Sequence, residues 1–291
     1  MKDDFNPSLR QSFTYDGTFY CAPNDTSVLG LVITTELWEK AGLTDADIPT
    51  TWDELAAVSK KLTSGKVKGL VFGDTRDRIG AFMKQSGGWI TNAEQTEMTA
   101  DTPENQAAIE FVQKLLADGS AAYPKQVGAG WGGEAFGKGN AAMTIEGNWI
   151  KGAMKADFPD VKYQVAELPA GPAGKGTLAF TQCWGIAAKS QYQQQAQQLV
   201  ESLMSKETQL SMAKALGVMP SLKSAQADYE AQTPEDKAFV AGLEYAQGPV
   251  TAVGMEPVLK DFDTKLQGLP KAEPKTILES LQKNGSSALG G

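Results

Sequence analysis

A chain of 291 residues with 41% apolar and 21% charged side chains has room for two domains or one large one, and its composition is that of a globular protein. A net charge of -8 argues against a nucleic-acid partner, whose recognition rests on excess Lys and Arg, and no run of about 18 apolar residues is present to span a membrane. The complete lack of histidine removes Ser-His-Asp triads, the usual general base and most zinc sites together, and two cysteines cannot build a zinc site alone, so neither metal nor cofactor is expected.

The N-terminus has no apolar h-region, so the sequence as written starts without a signal peptide. Residues 18–23 read as a strand ending at Pro23, and 28–33 as a buried strand. Thr51 followed three residues later by Glu54 is a capping box for a helix over 53–62, with Trp52 packed at its entry. A short strand over 67–72 leads into Gly73-Asp74-Thr75-Arg76-Asp77-Arg78. Charges at the carboxyl end of a strand suit either a solvated loop or hydrogen bonding to ligand hydroxyls, and Asp74 and Arg76 are the candidates for the second. A helix over 79–86 stops at Gly87-Gly88, and Trp89 reads as core. Thr102 and Pro103 open another helix with Ala108, Phe111, Leu115 and Leu116 on its buried stripe.

Gly128-Ala129-Gly130-Trp131-Gly132-Gly133 lacks the Lys-Ser/Thr of a phosphate cradle and reads as a turn before a short helix carrying Phe136. Trp131 stands in that loop, placed to project into a cleft. The strand 141–145 follows, and Glu146, Gly147, Asn148 and Trp149 turn off its end. In open α/β sheets ligands collect beyond the carboxyl ends of strands. An indole beside a carboxylate and an amide suits a sugar ring, whose C–H faces stack and whose hydroxyls take hydrogen bonds. Further on come a strand over 161–166, a turn-rich loop over 168–176, a long strand over 177–188, and helices over 191–204, 206–216 and 258–266. Thr233 and Pro234 cap one more helix, a last one spans 276–283, and 284–291 reads as a fraying tail.

In order and spacing, these motifs resemble the carbohydrate-specific solute-binding proteins of ABC importers, the maltose-binding-like group. The resemblance is carried by Tyr20-Cys21-Ala22-Pro23, Leu37-Trp38-Glu39-Lys40-Ala41-Gly42-Leu43, Pro49-Thr50-Thr51-Trp52-Asp53-Glu54-Leu55, Ala141-Ala142-Met143-Thr144-Ile145 with Gly147-Asn148-Trp149, Leu168-Pro169-Ala170-Gly171-Pro172, and Gly217-Val218-Met219-Pro220-Ser221. It implies an α/β fold of the type II periplasmic-binding-protein-like kind. It also implies that Trp149 stacks on sugar, that Asp25 and Gln182 face the cleft beside Trp184, and that a membrane permease is the partner. Asp25 equally suits an Asx-turn, and a strand tryptophan such as Trp184 equally suits a core.

Relatives of this kind carry a first lobe ahead of the Tyr-x-x-Pro segment, of which about twenty residues stand here. The implied division is a remnant of the N-terminal lobe over 1–27 and 183–225, and a near-complete C-terminal lobe over 28–182 and 226–291. The chain is then expected to be either a truncated product or one half of a split protein, the missing lobe in the second case being supplied by another chain. Cys21 and Cys183 fall in adjacent crossing strands of relatives and form either a disulfide or two buried thiols.

The expected function is non-enzymatic binding of a carbohydrate, with the extra tryptophans favouring an oligosaccharide, outside the cytoplasm as a periplasmic or lipid-anchored protein. Trp149, Trp131 and Trp184 would stack, and Asp25, Asp74, Arg76, Glu146, Asn148 and Gln182 would address hydroxyls. The competing readings are a glycosidase using Glu134 and Glu146 as paired carboxylates, and a lobe that binds nothing.

Overall fold

The computed structural model describes residues 2–290. A short helix α1 (Pro7–Ser12) leads into a small hairpin, β1 (Thr14–Tyr15) with β2 (Thr18–Phe19), and then into β3 (Ala22–Pro23) and β4 (Ser27–Thr34). After β4 come α2 (Thr35–Lys40), α3 (Trp52–Leu62), β5 (Lys68–Val71), α4 (Arg76–Gln85), α5 (Pro103–Ala117) and β6 (Ala121–Ala122). The middle of the chain supplies α6 (Gly132–Gly137), β7 (Ala141–Gly147), α7 (Ile150–Asp157), β8 (Tyr163–Ala166), β9 (Thr177–Phe180) and β10 (Cys183–Trp184). The rest is helical, α8 (Gln193–Leu203), α9 (Lys206–Leu216), α10 (Lys223–Gln232), α11 (Lys237–Gly242), α12 (Met255–Leu266) and α13 (Pro274–Leu289), with β11 (Ala246–Gln247) between α11 and α12.

One seven-stranded mixed sheet organises the molecule in the order β11-β9-β4-β7-β5-β6, with β8 also paired to β4. All eight residues of β4 are buried, as a strand covered on both faces requires. Alternation sends Leu29, Leu31 and Ile33 into the large core under α3, α4, α5, α12 and α13, while Val32 packs with Phe136 and Ile150 on the opposite face. Gly30 is required on that second face, since a Cβ there would lie 2.9 Å from the ring of Phe239. A third cluster joins Val28 and Ala179 to Tyr229 and Phe239, and a fourth joins Phe5, Ala22, Met204 and Leu222 near the two-stranded β3–β10 ribbon.

Local signals set the helix starts. Thr51 accepts from the Glu54 N–H at 3.3 Å while the Glu54 carboxylate takes the Thr51 N–H at 3.1 Å. Donation to the same carboxylate from the Thr50 N–H at 2.7 Å and the Thr50 hydroxyl at 2.8 Å, with a smaller share from Thr51, holds the Glu54 carboxyl below the usual range. Thr102 caps α5 at Asn105, and Pro103 occupies the first turn where no N–H is needed. Trp52 is structural: its ring stacks on Phe111 at 4.5 Å and its N–H donates to Gln85 at 2.6 Å.

Three expectations are corrected. The long strand over 177–188 is two short ones, because β9 pairs with β4 only at Val28–Ala179 and Ser27–Phe180, after which Cys183 and Trp184 switch to pair with β3. The tail does not fray within 284–289: α13 runs on to Leu289, with Gly285 buried against Met98; residue 291 lies outside the described residues. Trp89 is not sealed in the core but half-buried at a cavity rim. The cysteine alternatives resolve as a Cys21–Cys183 disulfide with Cα atoms 5.6 Å apart.

Candidate ligand-binding face

β7 does not stop before Glu146 but carries it and Gly147 as its last residues. Trp149 then caps α7. Glu146 is 1% exposed, and its Oε2 accepts from Arg78 Nη2 at 2.6 Å and from Trp149 Nε1 at 3.1 Å. Burial pushes the Glu146 carboxyl up, against the downward pull of Arg78 and of these hydrogen bonds. Room for the carboxylate comes from Gly132 at the start of α6, where a Cβ would lie 2.6 Å from Glu146 Oε1.

Arg78, in the first turn of α4, is fully engaged. Its Nε donates to the Ile145 carbonyl at 3.1 Å and its Nη1 to the Asp77 carbonyl at 3.0 Å. Its guanidinium lies 5.2 Å from the Trp149 ring centroid and 6.0 Å from that of Phe180. Phe180 meets Trp149 edge-on, with centroids 5.3 Å apart and planes at 84°. Gly147 receives the six-membered ring of the indole; a Cβ there would lie 2.2 Å from it. Trp149 is thus held from below, from one edge and by its N–H, and stays partly exposed.

The crossing strands lie beside this platform. Phe180 pairs with Ser27 at the start of β4, and Asp25 stands in the segment just before that strand. Asn24 N–H donates to the Gln182 carbonyl at 2.9 Å, and the Thr181 hydroxyl to the Asp25 carbonyl at 2.7 Å, which sets Asp25 against Gln182. Burial pushes the Asp25 carboxyl up to about 6. Gln182 is exposed, and Trp184 is 36% exposed on the ribbon that carries the disulfide.

The remaining candidates are placed differently. Asn148 is buried, and its Nδ2 donates to the Gly217 carbonyl at 3.1 Å, fastening the left-handed turn (φ 73°) that ends α9. Arg76 is turned to α12, where its guanidinium pairs with Asp263 and donates to the Leu259 carbonyl at 3.3 Å. Asp74 is half-buried near Tyr123, whose phenol is raised by burial and by that carboxylate. Trp131 covers Gly133 and packs on the cluster of Val32 and Phe136. Glu134 is tied to Lys138 and to the Gly130 N–H, while Glu146 is sealed, so these two carboxylates do not form a reacting pair. Among the described residues no group of acidic side chains and cysteines is arranged to hold a metal.

Sequence reasoning missed Arg78 and Phe180. Arg78 lay in the charged run after β5 but two residues beyond the arginine singled out, and nothing local marks which arginine faces the β7 end. Phe180 is identified only through its register with Ser27.

The family described as bacterial extracellular solute-binding protein matches residues 1–241. A putative binding protein of Brucella abortus is 25% identical over 308 residues, covering 99% of this chain and 73% of that protein. The diacetylchitobiose binding protein DasA of Streptomyces coelicolor is 24% identical, covering 82% of this chain and 57% of its own length. In structure, the substrate-binding protein Lmo0181 of Listeria monocytogenes, in complex with cycloalternan, superposes with a TM-score of 0.87 at 23% identity, over 100% of this chain and 76% of that one. The type II periplasmic-binding-protein-like fold is therefore common to them. By its match over 1–241, the chain belongs to the bacterial extracellular solute-binding proteins, which bind their ligands and do not transform them.

Proposed function

We propose that this protein binds a neutral carbohydrate, an oligosaccharide, outside the cytoplasm and presents it to the membrane permease of an ABC importer. The observation that carries the reading is the Trp149 indole, held at the end of β7 by a buried carboxylate and flanked by Phe180 and Arg78. A fixed, partly exposed aromatic ring provides a surface for the C–H face of a pyranose without ordering costs on binding. Asp25 and Gln182 supply acceptors and donors for hydroxyls beside it, with Trp184 as a further platform. The sugars named for DasA and Lmo0181 support the same class of ligand. Glu146 and Asn148 act from behind, by fixing Trp149 and the α9 turn, and Arg76 by fixing α4 to α12.

We read residues 28–182 and 226–291 as one lobe, and 1–27 with 183–225 as the part that joins a second. That second lobe, in the same or another chain, would form the opposite wall of the cleft and close over the sugar as a hinge. Two observations support it: α8 has no buried residue and leaves Leu199 59% exposed, and this chain covers 73% and 76% of two of its longer relatives. Anchorage by a lipid or residence in a periplasm belongs to the same proposal.

Titration calorimetry against a panel of neutral mono- and oligosaccharides tests the function. Saturable binding by the native protein, abolished in Trp149→Ala, is expected. Binding that survives Trp149→Ala unchanged contradicts the site, and no heat with any member of the panel contradicts the function.

A further inference from the structure

A cavity of about 310 Å3, not lined by Trp149, lies between α1, the last turn of α4, the loop after Trp89 and β11. In a chain of net charge -8, its walls hold no carboxylate and a single charged side chain, Lys84. The Lys84 ammonium is half-buried, lies 6.0 Å from the centroid of the Trp89 ring, and has no ion pair or hydrogen bond among the described residues. Burial draws its pKa down. Arg76, Arg78 and Lys151, also partly buried, are each paired with a carboxylate.

A second polar group is also unmatched. Thr91 is 4% exposed and lines the same cavity, and its hydroxyl has no hydrogen-bond partner; that oxygen has less than 1 Å2 of accessible surface, so it meets a ligand by turning about χ1 into the cavity. Burying a hydroxyl or an ammonium without a partner costs free energy that a ligand recovers when it supplies the partner. The Trp89 main chain is fixed, since its carbonyl takes bonds from Thr99 at 3.1 Å and Asn105 at 2.9 Å, and its ring packs over Gly80, where a Cβ would lie 3.2 Å from it. Its ring offers a flat apolar wall.

We propose that this cavity binds a small organic carboxylate, with the carboxylate oxygens on Lys84 Nζ and the Thr91 hydroxyl and the carbon skeleton against Trp89. The ligand is recognised by charge and one hydroxyl, so it differs in class from the neutral sugar of the β7 end, and its binding does not depend on that reading. Because Gln11 of α1 and Gln247 of β11 both line the cavity, the anion ties together parts of the chain that are far apart in sequence.

Succinate and its neutral diamide, succinamide, are the probes, with chloride at matched ionic strength as control. The native protein, Lys84→Met and Thr91→Val are compared by calorimetry and by Tm. The native protein is expected to bind succinate at least ten-fold more tightly than succinamide and to gain Tm with it, as a ligand of the folded state must. Lys84→Met keeps the apolar stem and should lose at least ten-fold in succinate affinity. Thr91→Val should lose several-fold, with Tm in buffer equal or higher because its hydroxyl has no partner to lose. Lack of succinate binding by the native protein overturns the proposal, as does equal affinity in native protein and Lys84→Met, or a Tm gain that chloride reproduces.

Discussion

The carboxylate of Glu146 and the indole of Trp149, three residues apart, are joined by a 3.1 Å hydrogen bond from Nε1 to Oε2. That bond crosses from strand to helix and sets the azimuth of the ring. Because the same oxygen also receives Arg78 at 2.6 Å, one buried charge fixes both the platform and its cationic flank.

Glu146→Gln is expected to destabilise the fold by about 3–5 kcal/mol, since it leaves the Arg78 guanidinium partly buried without its counter-charge. Denaturant unfolding measures this. Adding Arg78→Met to Glu146→Gln should return much of the loss, because removing both charges is far less costly than orphaning one. A double variant as unstable as the single one would show that the ion pair is not the cause.

Gly147→Ala tests the seat of the ring. The new methyl would lie 2.2 Å from the indole, so Trp149 must swing away. The expected result is a loss of sugar affinity of about ten-fold, about 1.4 kcal/mol, together with a lower Tm, since the displaced ring gives up its contacts with Glu146, Phe180 and Arg78. Native affinity in this variant would mean that the ring has freedom its surroundings do not suggest.

Asp25 gives a pH dependence. Burial holds its folded pKa at about 6, above the ordinary carboxylate value of 3.8. The folded state therefore holds the proton more tightly, and this group's contribution to stability is greatest below about pH 4 and is lost as pH rises through about 6. Asp25→Asn removes that loss, so its Tm should exceed that of the native protein at about pH 7.5 and match it near pH 4. Thermal unfolding across this range decides it; a Tm difference independent of pH contradicts the assignment.

The Cys21–Cys183 bond joins residues 162 apart in sequence. A loop of that length gives about 5 kcal/mol by chain entropy. Reduction, or Cys21→Ser with Cys183→Ser, is expected to lower the denaturant midpoint, with a steeper transition because the freed unfolded chain is less compact and exposes more surface. An unaltered midpoint would mean that the β3–β10 ribbon is held by its packing alone.

What the sequence revealed follows from how local each signal is. The caps at Thr51 and Thr102, the glycine turn after α9 and the apolar run of β7 depend on neighbours within a few residues, and they appear where expected. The placement of Trp149 after a strand end was legible for the same reason. Its partners were not. Arg78 reaches it across 68 residues to Glu146, and Phe180 by a register set in β4. Asn148 and Arg76 looked like ligand contacts because their types suit hydroxyls, yet Gly217 and Asp263, far along the chain, occupy them. The break between β9 and β10 likewise depends on which strand lies alongside, a fact that no alternation of apolar residues encodes.

The central claim is that Trp149 receives the sugar. Fluorine NMR of protein labelled with 5-fluorotryptophan tests it most directly, with the six resonances assigned by single replacement. On saturation with a bound oligosaccharide, the Trp149 signal should shift while those of the structural Trp38 and Trp52 stay fixed. An oligosaccharide that binds and leaves the Trp149 resonance unmoved contradicts the account.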